Sequence, residues 1–181
     1  MVWFSADFHL GHKNIIEYSK RPYSSVEVMD EFITNNFYEC VKPGDTFYFF
    51  GDLSFEKKRA EGFFRDLSSS VDFHFIVGNH DKNILSIIKE CCKSVSQIKN
   101  IQIGEQKITL CHFPMLSWHQ SHFGAWQLFG HVHNVPAPTV GKQCDVGVDA
   151  WDFYPISYTQ ISTYMKTRIN NWNLIKEENR R

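Results

Sequence analysis

The sequence predicts an α/β fold, and three observations support this prediction. Short apolar runs rich in β-branched and aromatic residues recur along the chain, and helical patterns separate the first of these runs. Aromatic residues make up 15% of the chain, which suits a core built on strands. With 181 residues the chain is long enough to bury one substantial core. We therefore expect a single domain over residues 1–170 and a charged C-terminal tail over residues 171–181.

Each predicted strand is an apolar run with Gly or polar residues close behind it. The six runs cover residues 1–6, 46–51, 71–78, 107–111, 125–130 and 144–151. The predicted helices lie between the early runs, over residues 24–40, 56–67 and 82–92. Ser24 or Ser25 can cap the first helix, and Glu27 stands at capping-box spacing from Ser24. The chain thus begins with a βαβαβ order and continues into further strands.

The composition excludes several classes of protein. Nineteen basic residues against twenty acidic ones give a formal charge of −1, which offers no general attraction for nucleic acid or for an anionic membrane. No run approaches the ~18 apolar residues of a membrane span, and the N-terminus lacks a signal-peptide pattern. The five cysteines include no Cys-x-x-Cys, so we expect free thiols in a reducing compartment. These features predict a cytoplasmic protein.

Polar residues of metal-binding type follow five of the predicted strands. Open α/β sheets place their binding crevices at the carboxyl ends of strands, where these residues fall. In chain order they are Asp7 and His9, Asp52, Asn79 and His80, His112, and His131 and His133. Each motif alone has an ordinary explanation, since Gly51-Asp52 is a common turn and a lone His112 is often structural. The ordered combination is much harder to explain by chance.

Oxygen and nitrogen ligands without cysteine suit manganese, iron or zinc. Residues i and i+2 of an extended segment project the same way, so Asp7 with His9 and His131 with His133 can each present two ligands to one centre. Eight candidate side chains exceed what one tetrahedral zinc ion needs. The set therefore predicts a pair of ions.

These motifs resemble those of the calcineurin-like metallophosphoesterase superfamily. Asp-x-His, Gly-Asp, Gly-Asn-His-Asp, a lone His and Gly-His-x-His occur in that order over residues 7–133. The resemblance implies a β-sandwich of two mixed sheets flanked by helices (αββα), with the metals at one edge. After Gly51-Asp52 the chain lacks the Asp-Arg-Gly continuation of protein Ser/Thr phosphatases. It is similar to short bacterial and phage members.

The resemblance also implies a role for each residue. The first metal would be held by Asp7, His9 and His133, the second by Asn79, His112 and His131, and Asp52 would bridge them. The cofactors would be two divalent ions, with manganese expected and iron, nickel or zinc as alternatives. A hydroxide shared by the ions would attack phosphorus in line with the leaving group, and catalytic His80 would donate a proton or stabilise charge. Asp81 is a candidate to orient the His80 ring.

The substrate is the least determined part of the prediction. Candidate contacts are His12, Lys13, Asn14 and Arg21 after the first motif, and Trp118, which can stack on a nucleobase or cover the core. Asp149 is a candidate to support a metal ligand. We expect a small phosphodiester or phosphomonoester, with no membrane and no long nucleic acid as partner. The alternatives are a nuclease for short or single-stranded nucleic acid and a non-catalytic binding scaffold.

Overall fold

The strands pair into two mixed sheets. The computed structural model describes residues 1–135, 140–173 and 175–180. The first sheet has the order β4-β3-β2-β1-β9 and the second the order β5-β6-β7-β8. Within the described residues the strands are β1 (Val2–Ser5), β2 (Thr46–Phe49), β3 (Asp72–Ile76), β4 (Ser94–Ser96), β5 (Ile98–Ile103), β6 (Gln106–Cys111), β7 (Trp126–Phe129), β8 (Gln143–Asp145) and β9 (Ile156–Ser157). Strands β1 to β4 run parallel and β9 is antiparallel to β1, while in the second sheet β6, β7 and β8 run parallel and β5 is antiparallel to β6.

The helices join the strands of the first sheet and follow its last strand. They are α1 (Lys13–Tyr18), α2 (Val26–Cys40), α3 (Lys57–Asp66), α4 (Leu85–Cys91) and α5 (Tyr158–Met165). The N-cap of α2 is Ser25, whose hydroxyl accepts a hydrogen bond from the Val28 N–H at 3.3 Å, so the capping-box spacing from Ser24 is not used. No helix in these described ranges is long and apolar enough to cross a bilayer.

Alternation along the strands builds two cores, one on each face of the first sheet. Phe47, Phe49 and Phe73 pack with Phe37 of α2 and Phe63 of α3. The intervening side chains of the first sheet face the second sheet. The inter-sheet core contains Phe4, Phe50, Ile76, Ile108, Leu110, Trp126 and Leu128. The first sheet is therefore buried on both faces, as parallel sheets generally are.

The resemblance implies helices on the outer face of each sheet, and the second sheet differs from this expectation. Its outer face carries the buried polar residues Thr109, Gln127 and Gln143. Gln127 donates to the Phe113 carbonyl at 3.1 Å and Gln143 to the Met115 carbonyl at 2.8 Å. Among the described residues, the loop after β6 covers this part of the face in place of a helix. The side-chain amides of the two glutamines provide hydrogen bonds to the backbone carbonyls of that loop.

The remaining differences from the predicted elements are local. The run 144–151 forms a strand only over its first residues, since Val148–Ala150 is a 3-10 turn. The predicted tail, residues 171–181, contains only a short 3-10 turn at Glu177–Asn179 within its described part. Leu174 and Arg181 lie outside the described residues. The sequence reading also missed α1, β4, β5, β9 and α5.

Candidate metal centre

The candidate ligands lie on left-handed backbone. L-residues rarely adopt positive φ, and such strain gathers at functional sites. Five of the seven predicted ligands have it: Asp7 (61°), His9 (54°), Asp52 (59°), His131 (72°) and His133 (49°). Each follows a strand closely, so the chain turns sharply where the strand ends. Backbone bonds hold two of these turns together, because Asp7 N–H donates to Gly51 O at 3.0 Å and His9 N–H to Asp52 O at 2.9 Å.

Close packing between loops explains two glycines of the motifs. A Cβ at Gly130 would lie 2.6 Å from Asp7 Oδ2, and a Cβ at Gly78 would lie 2.3 Å from Asp52 Oδ1. Either contact is far inside van der Waals separation. With Gly130 in place, the His131 N–H reaches Asp7 Oδ2 at 2.8 Å. Gly130 thus lets the Asp7 carboxylate approach the loop after β7 of the second sheet, and Gly78 lets the Asp52 carboxylate approach the loop after β3 of the first.

The ligand atoms gather in two groups, each within 4.8 Å of one another. We call the first cluster Asp7, His9 and His133, and the second cluster Asp52, His112 and His131. Asp52 Oδ2 lies between them, 3.7 Å from His9 Nε2 and 3.5 Å from His112 Nε2. Asn79 joins the second cluster, because its Oδ1 lies 2.9 Å from His112 Nε2. The structure thus brings all seven predicted ligands together, and their binding of metal stays a prediction.

The hydrogen bonds of two histidines direct their free nitrogens into the clusters. His112 Nδ1 lies against the Phe50 carbonyl, which only accepts, so this nitrogen carries the proton. His112 Nε2 is then a lone pair facing Asp52 and Asn79 oxygens. His133 Nδ1 likewise donates to Asp149 Oδ2 at 2.8 Å, which leaves its Nε2 for the first cluster. Lone pairs that face one another are unfavourable without a cation between them.

The first cluster also contains buried polar atoms that lack partners among the described residues. Asp7 Oδ1 and both ring nitrogens of His9 have no hydrogen bond within that part of the chain, although Asp7 and His9 are 0% and 2% exposed. Burying such groups unpaired costs roughly 1–3 kcal/mol each. Burial, with the carboxylates of Asp52 and Asp145, raises the pKa of Asp7, and burial with His133 lowers the pKa of His9. A divalent cation would satisfy these atoms, so the residues present fit a metal.

Arg21 and Asp149 stand behind the first cluster. Arg21 Nε and an Nη donate to both Asp149 oxygens at 2.8 Å, and its two Nη groups donate to the Phe8 and Asp7 carbonyls at 2.9 and 2.7 Å. Burial raises the pKa of Asp149, but the hydrogen bonds from His133 and Arg21 outweigh it and lower the value. The prediction that Arg21 contacts substrate is wrong, because its guanidinium is buried and fully engaged. It supports the ligand loop instead, and the candidate role of Asp149 fits the contact with His133.

Asp81 also has a different role from the one considered. Its carboxylate is buried and accepts from the Gly78 N–H at 2.7 Å, the Asp52 N–H at 3.0 Å and the Leu53 N–H at 3.1 Å. These three bonds tie the loop after β2 to the loop after β3. Asp81 therefore holds the backbone of Asp52 and has no hydrogen bond to the His80 ring within the described structure.

His80 lies beside the clusters with its ring accessible. The backbone N–H of His80 donates to Asp52 Oδ1 at 2.9 Å, and its ring Nε2 is 4.0 Å from Asp52 Oδ2. The side chain is 42% exposed, unlike the buried candidate ligands Asp7, His9, Asp52 and His112. The centroid of the His80 ring lies 4.7 Å from that of Phe55 and 5.8 Å from that of His9. The position suits contact with a bound molecule.

The other predicted substrate contacts lie in different environments. The His12 ring lies 5.5 Å from His9, whereas Lys13 and Asn14 are exposed at the start of α1 and stay predictions. Trp118 is only 7% exposed and donates its indole N–H to the Ala125 carbonyl at 2.9 Å. It packs inside the protein, so the stacking role is wrong and the core role is right.

The sequence analysis missed two exposed aromatic side chains beside the candidate metal centre. Phe55 is 36% exposed, and its ring centroid lies 4.3 Å from that of His12. Phe113 is 45% exposed, and its ring centroid lies 4.9 Å from that of His112 and 4.7 Å from that of His131. Their proximity to the motifs in sequence, three residues after Asp52 and one after His112, was the available signal. Exposure of a large apolar ring cannot be read from sequence.

The fold and the site define an α/β protein of two mixed sheets with His/Asp groups able to hold metal. No profile of a known protein family matches the chain. The chain is 32% identical over 164 residues to the uncharacterised protein MJ1445 of Methanocaldococcus jannaschii, covering 86% of each, and belongs to the same family.

Two further likenesses extend this result. The Gene 66 protein of Mycobacterium phage L5 is 25% identical over 183 residues, covering 83% of this chain and 87% of the phage protein. The crystal structure of the protein of unknown function AQ665 from Aquifex aeolicus superposes with a TM-score of 0.72 at 23% identity, over 91% of this chain and 98% of that one. At this identity the superposition shows a shared fold alone.

Proposed function

We propose that the protein is a dinuclear metal-dependent phosphoesterase of the calcineurin-like kind, acting on a small phosphate ester. One observation carries the proposal: two clusters of nitrogen and oxygen ligands, from both sheets, share the single carboxylate Asp52. A shared carboxylate between two ligand sets is the arrangement that two-metal hydrolysis needs. The ordered motifs of the sequence agree with it.

The residues divide between the ions as follows. Asp7, His9 and His133 would hold the first ion, and Asn79, His112 and His131 the second, with Asp52 on both. When bound, two divalent ions supply an activated water and neutralise charge on the phosphoryl oxygens. Manganese is the first ion to test, with iron, nickel and zinc as alternatives.

His80 supplies the proton chemistry in this proposal. Its backbone is tied to Asp52 while its ring stays 42% exposed, so it meets a substrate without being a ligand. In this role the accessible imidazole of His80 donates a proton to the departing oxygen. The protonated ring also stabilises developing negative charge.

The charge of the chain guides the choice of substrate. A formal charge of −1 gives no basic surface for long nucleic acid, and residues 1–170 form one catalytic domain in this proposal. A small phosphodiester or phosphomonoester in the cytoplasm, with no membrane partner, is the substrate we propose.

Hydrolysis of p-nitrophenyl phosphate and bis-p-nitrophenyl phosphate tests the function. Protein stripped by a chelator should be inactive, and manganese should restore turnover; the ratio of the two rates separates monoesterase from diesterase action. His80→Ala should keep both ions and lower kcat by about 10²–10⁴-fold. His74→Ala, a half-buried histidine in β3 bonded to Ser94, is the matched control and should be active.

Two results would overturn the proposal. Two bound ions without turnover under manganese, nickel or zinc would favour a binding scaffold. Faster cleavage of a single-stranded oligonucleotide, with strongly salt-dependent binding, would favour the nuclease.

A further inference from the structure

A cavity of about 330 Å³ adjoins the second cluster. We call it the Asn79–Phe113 cavity, and it is lined by Val77, Gly78, Asn79, Gln97, Ile98, Cys111 and Phe113. Two of these residues connect it to the candidate metal centre. Asn79 Oδ1 is 2.9 Å from His112 Nε2, and the Phe113 ring lies 4.7 Å from the His131 ring. A molecule whose phosphate meets the clusters can therefore extend into this cavity.

The described lining of the cavity is mostly apolar and carries no charge. None of its described residues is Asp, Glu, Lys, Arg or His. A second phosphate or an oligonucleotide backbone would find no counter-charge there. Ile98 and Phe113, at 54% and 45% exposure, instead leave large apolar surfaces open to water. Covering such surfaces with an apolar ligand removes apolar area from water, which favours binding.

The exposed Phe113 ring and the two amides of the lining favour a ring over an aliphatic chain. Phe113 presents an exposed aromatic ring, and aromatic rings stack on flat ligands. Two side-chain amides, Asn79 and Gln97, add donors and acceptors to the lining, which a flat ring with polar edges can use. The volume is near the lower end of small-molecule pockets, roughly 300–1,000 Å³. The cavity thus fits one ring system.

We infer that the Asn79–Phe113 cavity binds the uncharged heteroaromatic ring, of nucleobase type, of a phosphate ester whose phosphate lies at the two clusters. This inference rests on the proposed function and names the substrate class of that site. Phe113 and Ile98 are its specificity-determining residues.

Paired ligands test the inference without needing turnover. The dissociation constants of thymidine 5′-monophosphate and 2-deoxyribose 5-phosphate are measured by calorimetry on metal-loaded protein, in the His80→Ala background so that neither is hydrolysed. The two ligands share the sugar and the phosphate and differ at C1′, where the nucleotide carries the base and 2-deoxyribose 5-phosphate carries a hydroxyl. We expect the nucleotide to bind at least about fivefold more tightly, in the range of base stacking on an aromatic side chain.

Variants then locate the ring. Phe113→Ala and Ile98→Ser should bring the ratio of the two dissociation constants towards one; Ile98 lies in β5, away from the ligand loops. Phe123→Ala is the control, because Phe123 is 70% exposed and outside the cavity lining. It should leave the ratio unchanged.

The failures are distinguishable. Equal affinity for the two ligands in the parent protein, or an unchanged ratio in both cavity variants, would overturn the inference while the phosphoesterase proposal stands. If the metal-loaded protein bound neither phosphate compound, the proposed function and this inference would fail together.

Discussion

The two clusters differ in depth and in what supports their ligands. In the first cluster Asp7 and His9 are 0% and 2% exposed, and His133 is held by the Asp149–Arg21 pair. In the second cluster His131 and the neighbouring Asn79 are exposed, and a backbone carbonyl orients His112. Residues that hold ligands in place raise metal affinity. The comparison predicts that the first candidate site is preorganised and that the second is more open to solvent.

Asp52→Asn tests the link between the clusters and has the largest expected effect. Because Asp52 Oδ2 lies between both ligand sets, affinity for both ions should fall together by more than about 100-fold, beyond the 10–100-fold of an outer carboxylate. Metal titration by calorimetry measures this, with the half-exposed carboxylate variant Asp72→Asn as control. Loss of one ion with the other retained would show that Asp52 does not bridge.

Asp149→Asn tests the support of the first cluster. Without its carboxylate His133 is no longer held as an Nε2 ligand, so affinity for one ion should fall by roughly 10–100-fold while the other is kept. Asp45→Asn, which removes a buried carboxylate far from the site, is the control and should bind both ions normally.

The same change leaves the buried Arg21 without its partner, which can cost about 3–5 kcal/mol of folding free energy. Arg21→Met with Asp149→Asn removes both charges and keeps the experiment readable if the single variant unfolds. A folded double variant with both ions bound at the original affinity would show that the pair serves the fold alone.

The smallest expected effect is a difference in ion affinity between the two clusters, which gradual addition of a chelator should reveal. The ion of the second cluster should leave first, with about tenfold weaker binding, or about 1.4 kcal/mol. NMR of the His131 and His9 rings on zinc-loaded protein distinguishes the two sites as chelator is added. Simultaneous release, or earlier change at His9, would contradict the difference drawn between the clusters.

The gathering of the candidate ligands could be predicted because it depends on the order of the strands along the chain. Parallel strands bring their carboxyl ends to one edge, so Asp7, Asp52 and Asn79 had to meet once β1, β2 and β3 paired. The elements missed have weak local patterns. Helix α1 is six residues long, too short for an apolar stripe, and β5 alternates exposed with partly buried residues.

The roles of Arg21, Trp118 and Asp81 could not be predicted for a different reason. Arg21 meets Asp149 across 128 residues of sequence, and that contact, together with the Asp7 and Phe8 carbonyls, satisfies its buried guanidinium. Trp118 and Asp81 are likewise defined by what covers them in the folded protein. Charge and aromaticity in a sequence indicate chemistry, whereas burial decides whether it faces a ligand.

Each cluster takes ligands from both sheets: Asp7 and His9 follow β1 of the first, and His133 follows β7 of the second. Neither sheet can therefore assemble a complete cluster by itself. During folding the centre can form only after the sheets have docked, so tight metal binding reports the final step of assembly. A bound ion would then slow unfolding by fastening one sheet to the other.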